Sequence, residues 1–194
     1  EAHRFIREQA VAKKPFLAYI ALNAPHSPFH APQKYTDLYP QQTPELASFF
    51  GMITNIDDNV GTTRALLREL GIADNTLFIF TTDNGTATGE KIFNAGMRGK
   101  KGSEYEGGHR VPLLAHWPAA GWTKPHVNHT LSHAVDIVPT LLDVTGAPTP
   151  TGLKFDGRSI RPLLDPASKS TDWPHERMIV TDSRIIWSAG IGFL

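Results

Sequence analysis

Two kinds of apolar pattern alternate along the chain. Phe16-Leu17-Ala18-Tyr19-Ile20-Ala21-Leu22 and Thr76-Leu77-Phe78-Ile79-Phe80-Thr81 are almost wholly apolar over a strand's length. Runs of that kind suit strands covered on both faces, as in a parallel sheet. Val111-Pro112-Leu113-Leu114-Ala115-His116-Trp117 reads as a third strand, with Pro112 near its start, where a missing N–H costs least. Met178-Ile179-Val180-Thr181 reads as a fourth. Elsewhere the spacing is helical. Phe5, Ile6, Ala10 and Val11 sit among the charges of Ala2–Lys14 and predict an amphipathic helix. Thr43-Pro44 supplies an N-cap hydroxyl and a first-turn proline, and Phe49, Met52, Ile53, Ile56, Val60, Leu66, Leu67 and Leu70 carry the helix to Gly71. A last helix over Ala134–Val144 is closed by Gly146. Strands alternating with helices predict an α/β layered sandwich with a mainly parallel central sheet, residues 1–194 forming one domain.

Composition narrows the partners. The 194 residues carry 19 Lys+Arg against 19 Asp+Glu, so no net field favours nucleic acid or an acidic membrane. Fifteen Pro and sixteen Gly predict many turns and long loops rather than a helical bundle. With no Cys, neither a disulfide nor a thiolate metal site is available. No apolar run approaches the ~20 residues that span a bilayer. The chain opens at Glu1 without a leader and closes on an apolar stretch ending at Leu194, so both ends read as cut.

Three loops hold the candidate chemistry. Asp83-Asn84-Gly85 follows the second strand, and ligands gather at the carboxyl ends of strands in open α/β sheets. A carboxylate and an amide oxygen are hard donors suited to Ca²⁺ or Mg²⁺. Taken alone, the same tripeptide reads as a turn. Lys101 lies between glycines in Gly99-Lys100-Lys101-Gly102-Ser103-Glu104-Tyr105-Glu106-Gly107-Gly108 and can approach an anion, although lysine pairs usually just face water. A phosphate-binding P-loop would need Gly where Asn94 stands. His26, in Ala24-Pro25-His26-Ser27-Pro28, sits in a stiff loop and can protonate a leaving oxygen; a lone loop histidine is otherwise a surface residue. His126, His129 and His133 have helical metal-site spacing, but Pro125 places them in a solvated loop. Asp57 and Asp58 are expected to cap or brace the long helix, and Glu106 and Arg110 to order the loop around Lys101.

The order and wording of Ala24-Pro25-His26-Ser27-Pro28, Thr82-Asp83-Asn84-Gly85 and Lys101-Gly102-Ser103-Glu104-Tyr105-Glu106-Gly107-Gly108 resemble the sulfatase family of the alkaline phosphatase superfamily. The resemblance runs from about Phe16 to about Leu164. It implies that Asp83 and Asn84 are metal ligands for Ca²⁺ (or Mg²⁺), and that His26 and Lys101 contact the sulfate. His30 matches less well than His26, and Lys100 less well than Lys101. It also implies a formylglycine nucleophile from a C/S-x-P-S-R motif, which this chain lacks. The expectation is therefore an incomplete part of a sulfatase catalytic domain without its N-terminal half, inactive alone. The parent would hydrolyse a small-molecule or saccharide sulfate ester in the periplasm or outside the cell. A phosphoryl or phosphonyl ester hydrolase of the same superfamily is the alternative. Strands missing their neighbours predict a self-associating homo-oligomer.

Overall fold

Helix α3 dictates how the first half of the chain is arranged. In the computed structural model, which describes residues 1–165, 173, 174, 177–181 and 184–188, α3 runs over Pro44–Glu69. Thr43 caps it, its hydroxyl accepting from the Leu46 N–H at 3.4 Å, with Pro44 in the first turn. Helix α1 (Ala2–Ala12) buries Ile6 and is tied to α3 by His3–Thr63 at 2.9 Å and by a two-pronged Arg7–Glu69 pair at 2.7 and 3.1 Å. The short α2 (Gln33–Thr36) buries Tyr35, whose hydroxyl donates to Asp58 at 2.8 Å. Asp58 thus acts as the expected brace. Gly51 is needed here, since a Cβ would come within 3.0 Å of Ala31 and 3.3 Å of the α2 backbone.

The chain forms two compact units, Glu1–Thr76 with Asn84–Val111, and Leu77–Asp83 with Pro112–Leu194. Helices α1 to α3 belong to the first, as does α4, a single turn over Glu106–His109. In the second, β1 (Phe78–Thr81) pairs antiparallel with β2 (Leu113–His116), Phe78 opposite His116 and Thr81 opposite Leu113. A 3₁₀ turn over Ala134–Asp136 leads into α5 (Ile137–Thr145), which Gly146 ends in the left-handed region at φ 68°. Helix α6 (Arg161–Leu164) and an antiparallel pair, β3 (Arg177–Thr181) with β4 (Arg184–Ser188), complete the unit. Ile160, Leu163 and Trp173 form its core, with Leu113 and Leu164 packed against them.

Asp136 is the fixed point of that unit. Its side chain is fully buried and accepts from Arg177 through both guanidinium arms at 2.7 and 2.5 Å, from the Arg158 N–H at 2.9 Å and from the His133 N–H at 2.8 Å. Thr140 continues the stitch, donating to the Asp136 carbonyl at 2.6 Å and accepting from the Ile160 N–H at 2.9 Å. Three stretches of chain distant in sequence thereby meet on one carboxylate. Burial alone would raise the Asp136 pKa, but the Arg177 hydrogen bonds, those from the Arg158 and His133 amides and the Arg177 charge outweigh it and hold it below the ordinary carboxylate range.

The helices match the periodic reading; the sheet does not. Residues 14–23 form no strand, although Phe16–Leu22 predicts the most buried one: Leu17 is 70% and Tyr19 90% exposed. A strand exists only through its ladder, and among the described residues none pairs with this segment. The sheets that do form are two-stranded and antiparallel, not mainly parallel. β1 is half-buried over Phe78, Ile79 and Phe80 without alternation, the pattern of a strand whose two faces are apolar but incompletely covered.

Candidate active site

The loop from Asn84 to Val111 is knitted by backbone bonds and by glycines that leave no room for side chains. The Gly85 N–H donates to the Gly108 carbonyl at 3.0 Å, and the Lys101 N–H to the Thr86 carbonyl at 2.8 Å. The Gly107 N–H donates to the Arg98 carbonyl, also at 2.8 Å. A Cβ on Gly85 would collide with the Gly107 carbonyl, one on Gly107 with the Gly99 carbonyl, and one on Gly108 with the Ser103 carbonyl. So the two motifs, separated in sequence by some twenty residues, form one backbone surface. The two residues that follow Asn84 are bonded through it to Gly108 and Lys101.

Further contacts fix the loop's shape. The Asn94 side-chain amide donates to the carbonyls of Met97 and Gly99, each at 2.8 Å. Arg98 stacks its guanidinium 3.6 Å above the Tyr105 ring. Glu106 and Arg110, expected to order the loop around Lys101, pair with each other at 3.0 Å across α4. In the sequence Asn94 serves only to exclude a P-loop; its bracing role emerges from the structure. The signal was weak: one amide amid irregular chain.

His26 is exposed, and its Nδ1–H donates to the Ser27 carbonyl at 2.8 Å. The peptide bonds before Pro25 and Pro28 are cis. Phe29, three residues on, packs edge-on against Phe49 of α3, with ring centroids 5.5 Å apart. Gly89 lies against Phe49 and Phe50 as well; a Cβ there would be 3.1 Å from the first ring. The same turn of α3 therefore supports both the His26 loop and the Lys101 loop.

Lys101 is exposed, Asn84 half-buried and Asp83 exposed. Asn84 lies in the first unit and Asp83 at the end of the second unit's β1 segment. Their oxygens fit a hard cation in kind but not in number. Among the described residues no three His, Cys, Asp or Glu side chains cluster as a metal site, and Ca²⁺ takes about 6–8 oxygens. The His133 ring accepts from the Val135 N–H at 3.4 Å and caps the 3₁₀ turn. Asn128, in the sequon Asn128-His129-Thr130, uses its amide locally, accepting from the Thr130 N–H at 2.9 Å and donating to the Leu163 carbonyl at 3.3 Å.

Knitted glycines thus tie the Asn84 and Lys101 segments into one loop system, and the His26 loop rests on the same helix. Residues 1–147 match the sulfatase family. The chain belongs to that family. Human arylsulfatase A is 34% identical over 173 residues, covering 87% of this chain and 32% of its own length. The chain thus spans about a third of that curated relative. The crystal structure of Ps i-CgsB with k-i-k-neocarrahexaose superposes at TM-score 0.71 with 31% identity, over 83% of this chain and 36% of that one. A phosphonate monoester hydrolase of Agrobacterium radiobacter superposes at TM-score 0.54 with 30% identity, over 69% and 25%. Among the described residues no helix is long and apolar enough to cross a membrane.

Proposed function

We propose that this chain supplies part of the catalytic domain of a sulfuric ester hydrolase, with Lys101 and His26 contacting the ester's oxygens and Asp83 and Asn84 contributing metal ligands. The observation that supports the reading is the backbone bond between Lys101 and Thr86, which ties the lysine's segment to the chain two residues after Asn84. The Lys101 ammonium offers three donors to a sulfuryl oxygen, and its charge offsets the charge that develops there as the S–O bond breaks. The His26 ring, oriented by its bond to Ser27, supplies a proton or hydrogen bond to the leaving oxygen. Ca²⁺, or Mg²⁺ in its place, would be held by Asp83 and Asn84 with further oxygens from outside this chain, and would polarise the same sulfuryl oxygens.

The nucleophile is expected outside these 194 residues, since none of them is Cys and no C/S-x-P-S-R stretch occurs. Turnover of an aryl sulfate by this chain alone should therefore not exceed that of a Lys101→Ala control. In a polypeptide that adds the nucleophile-bearing segment, Lys101→Ala should lower kcat about 10²–10³-fold. Undiminished turnover in that variant would remove Lys101 from the chemistry.

Phosphoryl or phosphonyl ester hydrolysis is the second reading, favoured by the likeness to the phosphonate monoester hydrolase. A sulfate and a phosphonate ester offered side by side to the extended polypeptide separate the two. The substrate class we favour is a sulfated saccharide or small sulfate ester, acted on in the periplasm or outside the cell. The exposed apolar segment 16–22 leads us to infer that this chain alone pairs with copies of itself. Light scattering at rising concentration should report oligomers; a clean monomer would mean the segment is covered from within.

A further inference from the structure

The sequence offers two adjacent lysines, and the structure separates them. Lys100 and Lys101 lie between Gly99 and Gly102, both in the left-handed region at φ 79° and 85°. Lys101 is pinned through its N–H to the carbonyl of Thr86, two residues after Asn84. Lys100 is tied elsewhere: its N–H donates to the Ser103 hydroxyl at 3.0 Å and its carbonyl accepts from the Ser103 N–H at 2.9 Å. Its ammonium stands 3.5 Å from a Glu90 carboxylate oxygen. The Glu90 side chain is only 18% exposed, against 53% for Lys100, so the carboxylate is the fixed partner and the lysine comes to it.

We propose that Glu90 is a positioning residue which holds the Lys100 ammonium away from the oxyanion, leaving Lys101 as the one lysine of this pair that contacts it. This rests on the oxyanion-site reading above. A second free ammonium on the neighbouring residue would hold the small anion more tightly but offer it another seat and blur its position. A carboxylate that occupies one of them leaves a single lysine of the pair free, and with it one defined seat for the ester. Glu90 acts through Lys100 and touches no substrate.

The test uses inorganic sulfate as probe and this chain with ¹³C-labelled lysine. In the unmodified chain, sulfate should shift the Lys101 side-chain signals and leave those of Lys100 in place. Glu90→Gln should bring Lys100 into the titration and tighten sulfate binding about two- to fivefold, the scale on which a partly exposed ion pair acts. Lys100→Ala should leave sulfate affinity within about twofold, and in the double variant the gain from Glu90→Gln should disappear. A merely structural Glu90 would behave the same with or without the Lys100 ammonium, so a gain that persists in the double variant overturns the proposal. So do Lys100 signals that move with sulfate in the unmodified chain. If Lys101 responds but Glu90→Gln recruits nothing, only the role of Glu90 falls. If sulfate moves neither lysine in any variant, the oxyanion-site reading falls with it.

Discussion

Replacing Asp136 with alanine is expected to destabilise the chain by about 3–5 kcal/mol, because it strands the Arg177 guanidinium, 8% exposed, without its partner. The loss extends beyond one pair. The Arg158 and His133 N–H groups also lose their acceptor, and each buried donor left unmade adds to the cost. Against a whole-domain stability of about 5–15 kcal/mol, that is a large fraction. Urea denaturation followed by tryptophan fluorescence reads it through Trp173, whose ring lies 5.3 Å from the Arg177 guanidinium. Acid should have a related effect. The folded Asp136 carboxylate binds its proton at a lower pH than the unfolded one. Its stabilising contribution is therefore complete above the ordinary carboxylate range near pH ~4 and is lost as pH falls below that range. An Asp136→Ala variant should show less acid sensitivity over that window than the unmodified chain. Equal acid sensitivity would place the titrating groups elsewhere.

Gly107→Ala should have the second-largest effect, and it should be felt in the candidate site. A methyl there meets the carbonyls of Gly99 and Arg98, and backbone cannot swing aside as a long side chain can. Overpacking of this kind costs about 1–3 kcal/mol. Hydrogen exchange should show it locally, with the Gly85 and Lys101 amides losing protection as their bonds to Gly108 and Thr86 open. Gly61 is the control. It lies exposed within α3, and a methyl added there would have nothing within 4 Å, so Gly61→Ala should stabilise by about 0.5–1 kcal/mol. If Gly107→Ala matched Gly61→Ala, the loop would be looser than its packing implies.

Local rules made the helices legible. Thr43-Pro44 announced the start of α3 and Gly146 the end of α5, since caps and periodic faces are written in neighbouring residues. The glycines of the Asp-Asn-Gly and Tyr-Glu-Gly-Gly motifs were visible too, but their mutual fit was not: a collision between Gly85 and Gly107 depends on a fold-back that no periodicity encodes. Phe16–Leu22 misled for a related reason. Its composition states what such a segment needs, apolar cover on both faces, whereas a ladder also requires a partner. Asp136 escaped notice because a buried carboxylate and a surface one look alike in sequence; its partner Arg177 is 41 residues away. Glu90 and Lys100, set apart across irregular chain, gave no spacing signal either.

The central claim is that the Lys101 loop and the His26 loop form one oxyanion seat. Titration of the chain with inorganic sulfate, with lysine and histidine side chains ¹³C-labelled, tests it most directly. The account predicts that Lys101 and His26 signals move along one binding curve, and that Lys101→Ala abolishes the His26 response at the same sulfate concentrations. A His26 response that persists unchanged in Lys101→Ala, or no response at either residue, would contradict it.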